Sequence, residues 1–372
     1  MKKCAAILTA GGDSPGLNAA IHAVGRVLLR SNYRLLGFMD GFEGIAFDRF
    51  VELTDSELAG ILTAGGTVLR TSRHKPNKMP LGKKQLDMTG NIVENYRKHQ
   101  LEALICIGGG GTHKSAMMLK KAGLNIITLP KTIDNDLSGT DSSIGFDTAL
   151  NVAASAIDSL HSTASSHKRI MLVEIMGHKT GWLTLGSGMA GGADVVLIPE
   201  LPYNIDKVAE ALKKRSSNGK FFSIVPVAEG AIDCVTAERI KELENDIASS
   251  SDKTRKAELK NQLSALTAYN PARIFELARK LEELTGLETR VTILGYLQRS
   301  GTPSCFDRLL ATQLGCRAAQ AVIQKEFGCM IAYRNGTTEL VPLEEISGKR
   351  QELTIDHPWV QCAMDSGIVF GN

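Results

Sequence analysis

Residues 130–136 read PKTIDND, with two aspartates, Asp134 and Asp136, in alternate positions close behind Lys131 and Thr132. This grouping sets two carboxylates beside a cation and a hydroxyl. One carboxylate can take the proton of an attacking alcohol, and the other can orient groups or hold a metal through water. A turn that needed only an Asx cap would use one of them. Upstream, ICIGGGGTHKSA (105–116) places four consecutive glycines, Gly108, Gly109, Gly110 and Gly111, before Thr112. Each glycine costs roughly 0.5–1 kcal/mol against alanine in regular structure. A ligand gives the run a reason, because bare backbone amides can approach phosphate oxygens closely.

Two further stretches share that chemistry. GGDSPGLNAAI (11–21) puts Gly12 in a glycine turn before a helical pattern, with Pro15 suited to a first helical turn. It is neither a GxGxxG fingerprint nor a GxxxxGK[ST] loop. Between Leu58 and Leu86 there is no acidic residue, while Arg70, Arg73, Lys75, Lys78, Lys83 and Lys84 gather after GGT. A solvated loop accounts for most of the lysines. Arg73 is better placed for a phosphoryl group, since a guanidinium fork donates two hydrogen bonds at once. No aromatic residue interleaves, which argues against a stacking surface for nucleic acid.

These residues need elements to hold them. Short apolar runs end abruptly at them: CAAILTA before GGDSPG, EALICI before GGGGT, and NIITLP before KTIDND. Others are RIMLVEIM, ADVVLI, FFSIVPVA and RVTILGYL. Runs too short for helices, separated by helical segments, predict βαβ units and largely parallel sheets. Ligands in such sheets bind beyond the carboxyl ends of the strands, where the Gly, Asp and Arg residues gather.

With 372 residues, 43% of them apolar, the chain is long enough for two domains or one large one. A net charge of +3 from 43 basic and 40 acidic residues does not by itself point to nucleic acid or a membrane. Seven scattered cysteines without a CxxC pair fit a reducing cytosol better than a disulfide framework or zinc site. The opening MKKCAAILTA reads as a first strand rather than a leader, because its apolar run breaks at GGD. No apolar run approaches a membrane span. From Ala237 to Leu266 the chain is highly charged and reads as two solvated helices broken at SSSD. A third helix begins near Asn270 and Pro271, faces Ile274, Leu277, Leu281 and Leu284 one way, and stops at Gly286. Together they read as an amphipathic insertion at an edge or an oligomer interface.

Taken in order, GGDSPGLNAAI, GGTVLRTSR, GGGGT, PKTIDNDLSGTD with GFDTAL, ASSHKR, EIMGHKTGW, AGGADVVLIPE, VAEG and GYLQRSGTPSCFDR resemble the phosphofructokinase family over nearly the whole chain. The resemblance implies two Rossmann-like three-layer α/β/α domains with mostly parallel sheets and the site in the cleft between them. Residues 1–146 plus about 298–345 would bind the phosphoryl donor. Residues 147–297 plus the C-terminal tail would bind the sugar phosphate, with a helical insertion at about 237–286. The implied reaction transfers a phosphoryl group from ATP, with Mg²⁺, to the C1 hydroxyl of fructose 6-phosphate. Asp134 would be the general base, with Thr132 and Asp136 beside it ordering the sugar and the metal-bound phosphates. Gly12, Arg73 and the Gly108–Thr112 turn would hold the donor. Met176 and Gly177 would contact the sugar, Glu229 its hydroxyls, and Arg299 its 6-phosphate. Arg169 and Arg290 match arginines that reach in from a neighbouring subunit, implying a homo-oligomer, dimer or tetramer, in the cytoplasm.

Three positions depart from the family pattern. Gly110 stands where a metal-associated acidic residue is usual, leaving Asp134 and Asp136 as metal contacts through water. His178 stands where Arg is usual near the sugar phosphate, and Tyr296 where His is usual. In the family, a glycine at Gly111 leaves room for a nucleotide, whereas Lys131 is typical of pyrophosphate users and also occurs in ATP users of a long-chain subgroup. ATP is the expected donor. A pyrophosphate-dependent phosphofructokinase and a catalytically weak sugar-phosphate-binding regulatory homologue remain open as alternatives.

Overall fold

A computed structural model describes residues 2–372. Its strands are β1 (Lys3–Ala10), β2 (Tyr33–Phe38), β3 (Phe50–Glu52), β4 (Met79–Leu81), β5 (Lys84–Leu86) and β6 (Leu101–Gly108). They continue as β7 (Ile126–Pro130), β8 (Ile170–Ile175), β9 (Ser223–Ala228), β10 (Thr289–Ile293), β11 (Cys329–Arg334) and β12 (Thr337–Pro342). The chain divides into two units, one running up to Ala149 and resuming over Arg299–Gln351, the other comprising Leu150–Gln298 and Glu352–Asn372.

The first unit is built on a seven-stranded sheet in the order β12-β11-β7-β6-β1-β2-β3. Its five inner strands run parallel, and β3 and β12 add antiparallel edges. Both faces are covered. Ala5 and Ile7 of β1 join one core with the helices Leu17–Arg30 and Cys305–Gln324, while Cys4, Ala6 and Leu8 join the opposite one. A strand buried on both sides needs apolar residues at consecutive positions, which is why β1 and β6 read as unbroken runs. The lysine-bearing segment after Lys75 forms the β4–β5 hairpin, with Lys83 and Lys84 exposed.

The second unit holds a wholly parallel sheet, β10-β8-β9. The run ADVVLI does not form the expected strand. It makes single bridges only, Leu197 to Val227 and Val195 to Val369. Leu197 exchanges hydrogen bonds with Pro226 O and Ala228 N (3.0 and 2.9 Å). The next rung would need an N–H from Pro226, which has none.

The charged segment does form two helices, Cys234–Ser249 and Lys253–Thr267, each burying a single leucine, Leu243 and Leu259. The third helix, Ala272–Thr285, departs from the expected edge role. Its Ile274, Leu277 and Leu281 enter the core beside β8 and β9. Leu284, expected on that face, is 40% exposed, because the helix ends one residue later and Gly286 turns the chain away with φ 70°.

Candidate active site

The carboxyl ends of β1, β6 and β7 open on a cavity of about 330 Å³ in the first unit. Beyond β1, Gly11 takes φ 91° and its N–H donates to Ser72 O (2.9 Å), while Thr71 Oγ1 donates to Gly11 O (2.8 Å). These bonds hold the segment carrying Arg73 against the first turn. Gly12 lies under the Arg299 guanidinium; a Cβ there would come 2.8 Å from Nη1. Arg299 Nη1 donates to Asp13 O (2.8 Å), and the buried Lys131 ammonium donates to Gly12 O.

The four glycines serve different purposes. A Cβ on Gly108 would lie 2.2 Å from Thr112 Oγ1 and 2.7 Å from Ala10 O, so packing against β1 requires that glycine, which lies beneath the cavity. Gly109, Gly110, Gly111 and Thr112 line it. A Cβ on Gly110 would meet only Leu137 Cδ2 at 3.8 Å, and one on Gly111 nothing within 4 Å. No neighbour within the protein demands these two glycines. They open the helix Gly110–Lys121, whose N-terminus has neither a side-chain cap nor an acidic residue in its first turn. The N–H groups of Gly110 and Gly111, residues that line the cavity, therefore have no cap and no acidic neighbour in their own turn, whereas Thr112 N donates to Gly109 O (2.9 Å).

The PKTIDND turn is braced by residues that sequence reasoning missed. Asn135 adopts φ 48°, a left-handed conformation that a short polar side chain tolerates. Its Oδ1 accepts from Ser143 N (3.0 Å) and its Nδ2 donates to Asp141 O (3.1 Å). Ser143 Oγ donates to Thr132 O (2.7 Å), and Asp134 N donates to Thr132 Oγ1 (3.1 Å). Asp307, in the CFDR stretch, braces the next turn by accepting from Gly145 N (2.9 Å) and Thr148 N (2.8 Å); burial pushes its carboxyl up to about 6. An Asn flanked by two Asp was the available signal for the first brace. Nothing local signals the second.

The two aspartates differ in surroundings. Asp136 is ion-paired with Arg350 Nε at 3.4 Å. Asp134 lines the cavity beside Thr132 and within electrostatic reach of Lys131. Burial pushes the Lys131 ammonium down to about 8; Arg299 and Arg73 press the same way, and Asp13 and Asp134 oppose them. Three cations, open helix N–H groups and flanking carboxylates are the chemistry that could hold a polyphosphate beside a proton acceptor. Among the described residues no group of three or more His, Cys, Asp or Glu converges on a metal position. Two carboxylates suit a divalent ion that arrives carrying phosphate oxygens and water.

In the second unit, Met176, Gly177 and His178 follow β8 and Glu229 follows β9. Glu229 N donates to Ile175 O (2.8 Å) and Met176 N to Gln298 Oε1 (3.2 Å). Gln298, fully buried and also missed, donates to Gly295 O (3.2 Å) and so fixes the turn that presents Tyr296, which is 77% exposed. His178 is exposed as well. Arg169 and Arg290 lie elsewhere. Arg169 precedes β8 and Arg290 is the second residue of β10, so both occupy the amino end of this parallel sheet. Both pair with Glu288, Arg169 through two bonds of 2.7 and 2.9 Å. A strand of this length spans about 17–20 Å, which separates them from Met176 and Glu229 in the same unit.

The family model described as Phosphofructokinase matches residues 4–322. An ATP-dependent 6-phosphofructokinase of Propionibacterium freudenreichii subsp. shermanii is 50% identical, with 98% of each chain covered. One of Spirochaeta thermophila is 44% identical over 98% of this chain and 97% of its own. Among solved structures, phosphofructokinase from Saccharomyces cerevisiae has a TM-score of 0.77 at 30% identity; the match covers 92% of this chain and 45% of the yeast chain. A pyrophosphate-dependent phosphofructokinase from Marinobacter aquaeolei has a TM-score of 0.77 at 19% identity, a likeness of fold alone.

Proposed function

This chain belongs to the phosphofructokinase family, and from that premise we infer that it is an ATP-dependent 6-phosphofructokinase. It moves the γ-phosphoryl group of ATP to the C1 hydroxyl of fructose 6-phosphate, giving fructose 1,6-bisphosphate for glycolysis. The observation that carries this reading is the cavity in which an uncapped, side-chain-free helix start faces Lys131, Arg299 and Asp134. Open space at Gly111 leaves room for a nucleotide, and the relatives at 42–50% identity bear the ATP-dependent name.

We assign Asp134 as the base that takes the C1 hydroxyl proton as that oxygen attacks the γ-phosphorus. Thr132 holds the Asp134 backbone, and Arg350 pairs with Asp136. Arg73, Lys131 and the N–H groups from Gly109 to Gly111 bind the donor's phosphates and offset the charge that develops during transfer. Arg299, which lines the same cavity, is assigned to the sugar 6-phosphate. Mg²⁺ held by the ATP phosphates, with Asp134 or Asp136 on its waters, would supply further neutralisation. Met176, Gly177, His178, Glu229 and Tyr296 are assigned to the sugar phosphate. Arg169 and Arg290, at the far end of their sheet, are assigned to the site of a second copy, so the enzyme works as a dimer or tetramer. A cytoplasmic setting suits its seven cysteines, all unpaired thiols. No helix among the described residues is long and apolar enough to cross a membrane.

A coupled assay of ADP release with fructose 6-phosphate, ATP and Mg²⁺ tests the reading, repeated with pyrophosphate as donor. Turnover with ATP is expected. Turnover with pyrophosphate alone would overturn the donor assignment, and silence with both would leave a sugar-phosphate-binding homologue.

Lys131 gives the reaction an alkaline limit. The free enzyme's Lys131 is charged below about pH 8. Once that charge is lost, kcat/KM for ATP should fall by about tenfold per pH unit. Its contribution to stability has the opposite slope. The folded value lies below the ordinary 10.5, so between about 8 and 10.5 the unfolded chain holds the extra proton and stability rises with pH. Lys131→Gln should give a lower, flat profile for kcat/KM. An alkaline limb that persists unchanged in that variant assigns the titration to another group.

A further inference from the structure

The helical insertion sends a polar side chain back to the sheet. Tyr269 sits in the short loop between the helices Lys253–Thr267 and Ala272–Thr285. That loop is fixed on both sides: Asn270 Oδ1 accepts from Ala272 N (3.0 Å), and Arg273 donates to Leu266 O. The Tyr269 hydroxyl donates to Glu174 Oε1 at 2.7 Å. Glu174 is only 6% exposed and lies two positions before Met176, near the carboxyl end of the central strand β8. Burying a carboxyl group without a cation is costly, and among the described residues no Lys or Arg forms an ion pair with Glu174. Burial raises its pKa, and Glu229 at the end of β9 stands near enough to raise it further. Burial and the same two carboxylates push the Tyr269 phenol up to about 12, so the hydroxyl remains a donor.

This arrangement is poorly explained as core packing. A packing tyrosine would bury its ring, yet Tyr269 remains 45% exposed while its hydroxyl is engaged. The open ring, held by the buried Glu174 near the part-exposed Glu229, suits a polyhydroxylated ligand: the Glu229 carboxylate accepts from hydroxyls and the ring covers a C–H face. The neighbouring positions Met176, Gly177 and Glu229 are those assigned above to fructose 6-phosphate.

We propose that Tyr269 is a specificity-determining wall of the sugar-phosphate site, delivered by the insertion and fixed in place by its bond to Glu174. This inference rests on the reading of the chain as a fructose 6-phosphate kinase. The first two helices of the insertion, which bury one leucine each, then serve with the core-packed third helix to hold the loop that carries this contact.

Wild-type turnover of fructose 6-phosphate with ATP is measured first; its absence would remove the functional reading and this inference with it. With turnover established, Tyr269→Ala should raise KM for fructose 6-phosphate about five- to tenfold. KM for ATP and kcat should stay near wild type, and the preference for fructose 6-phosphate over its C4 epimer should weaken. Tyr269→Phe keeps the ring and drops only the hydroxyl, so its KM should rise about two- to threefold. Its effect should also combine with that of Glu174→Gln to less than their product, as for groups that act as a pair. Unchanged KM and epimer preference in both Tyr269→Ala and Glu174→Gln would overturn the proposal. So would a loss of thermal stability in these variants with no selective change in sugar KM, which would make the contact structural only.

Discussion

Asp134→Asn is expected to lower kcat by about 10²–10⁴, the usual range for loss of a general base, while fructose 6-phosphate still binds. The substitution keeps the size of the side chain. It also spares the brace of the turn, which runs through the Asn135 and Ser143 side chains and the Asp134 backbone N–H. A thermal melt run beside the kinetics separates the expected loss of chemistry from any loss of folding. A secondary effect follows at Lys131, whose charge Asp134 helps to retain. Removing that carboxylate should move the alkaline limb of kcat/KM to lower pH. Steady-state kinetics and calorimetric titration with the sugar phosphate check both parts. Near-normal turnover would rule Asp134 out as the base.

Gly111→Asp should cut kcat/KM for ATP by at least about 10², since juxtaposing like charges costs several kcal/mol. The new carboxylate would project into open space at the start of the helix, where the phosphates are assigned. Thermal stability should move the other way, because an acidic residue in a first turn is worth about 0.3–1 kcal/mol and neither clash nor positive φ opposes it. Gly110→Asp shares that stabilisation but places a carboxylate where the resemblance to the family expects one, so it should strengthen Mg²⁺ dependence and spare ATP. Free wild-type enzyme should bind Mg²⁺ very weakly by calorimetry. Tight stoichiometric binding without nucleotide would show that another carboxylate set replaces the missing one. A Gly111→Asp enzyme with normal ATP kinetics would take the phosphates away from this helix start.

What could be read from the sequence follows from how locally each feature is encoded. Strands buried on both faces, such as β1, β6 and β7, must be apolar at successive positions and end where the glycine- and aspartate-bearing turns begin. Runs and motifs therefore marked one another. ADVVLI satisfied the same rule and still failed as a strand, because its pairing depends on Pro226, about 30 residues away. The edge strand β3 escaped notice, being three residues long and exposed throughout. At the site, residues that present chemistry stood out by type, whereas those that brace it did not. Asn135, Gln298 and Asp307 act through bonds whose partners are set by the fold. Leu284 was misassigned because periodicity identifies a face and cannot say how far along the helix that face stays covered.

The order in which the chain leaves the ribosome has a consequence for how the sheet of the first unit is completed. Strand β7 ends at Pro130, and its outer neighbour β11 begins at Cys329. At about 5–20 residues per second, the intervening stretch of nearly 200 residues takes roughly 10–40 s to synthesise. Throughout that interval the apolar β7 offers an unpaired edge, the kind of template that recruits foreign strands. The second unit waits longer still, since Val195 and Val196 pair with Val369 near the far end of the chain. Nascent chains stalled before Cys329 should therefore aggregate or bind holdase chaperones. Neither unit can close until its late segment has emerged, and for the second that means after residue 369 has left the exit tunnel.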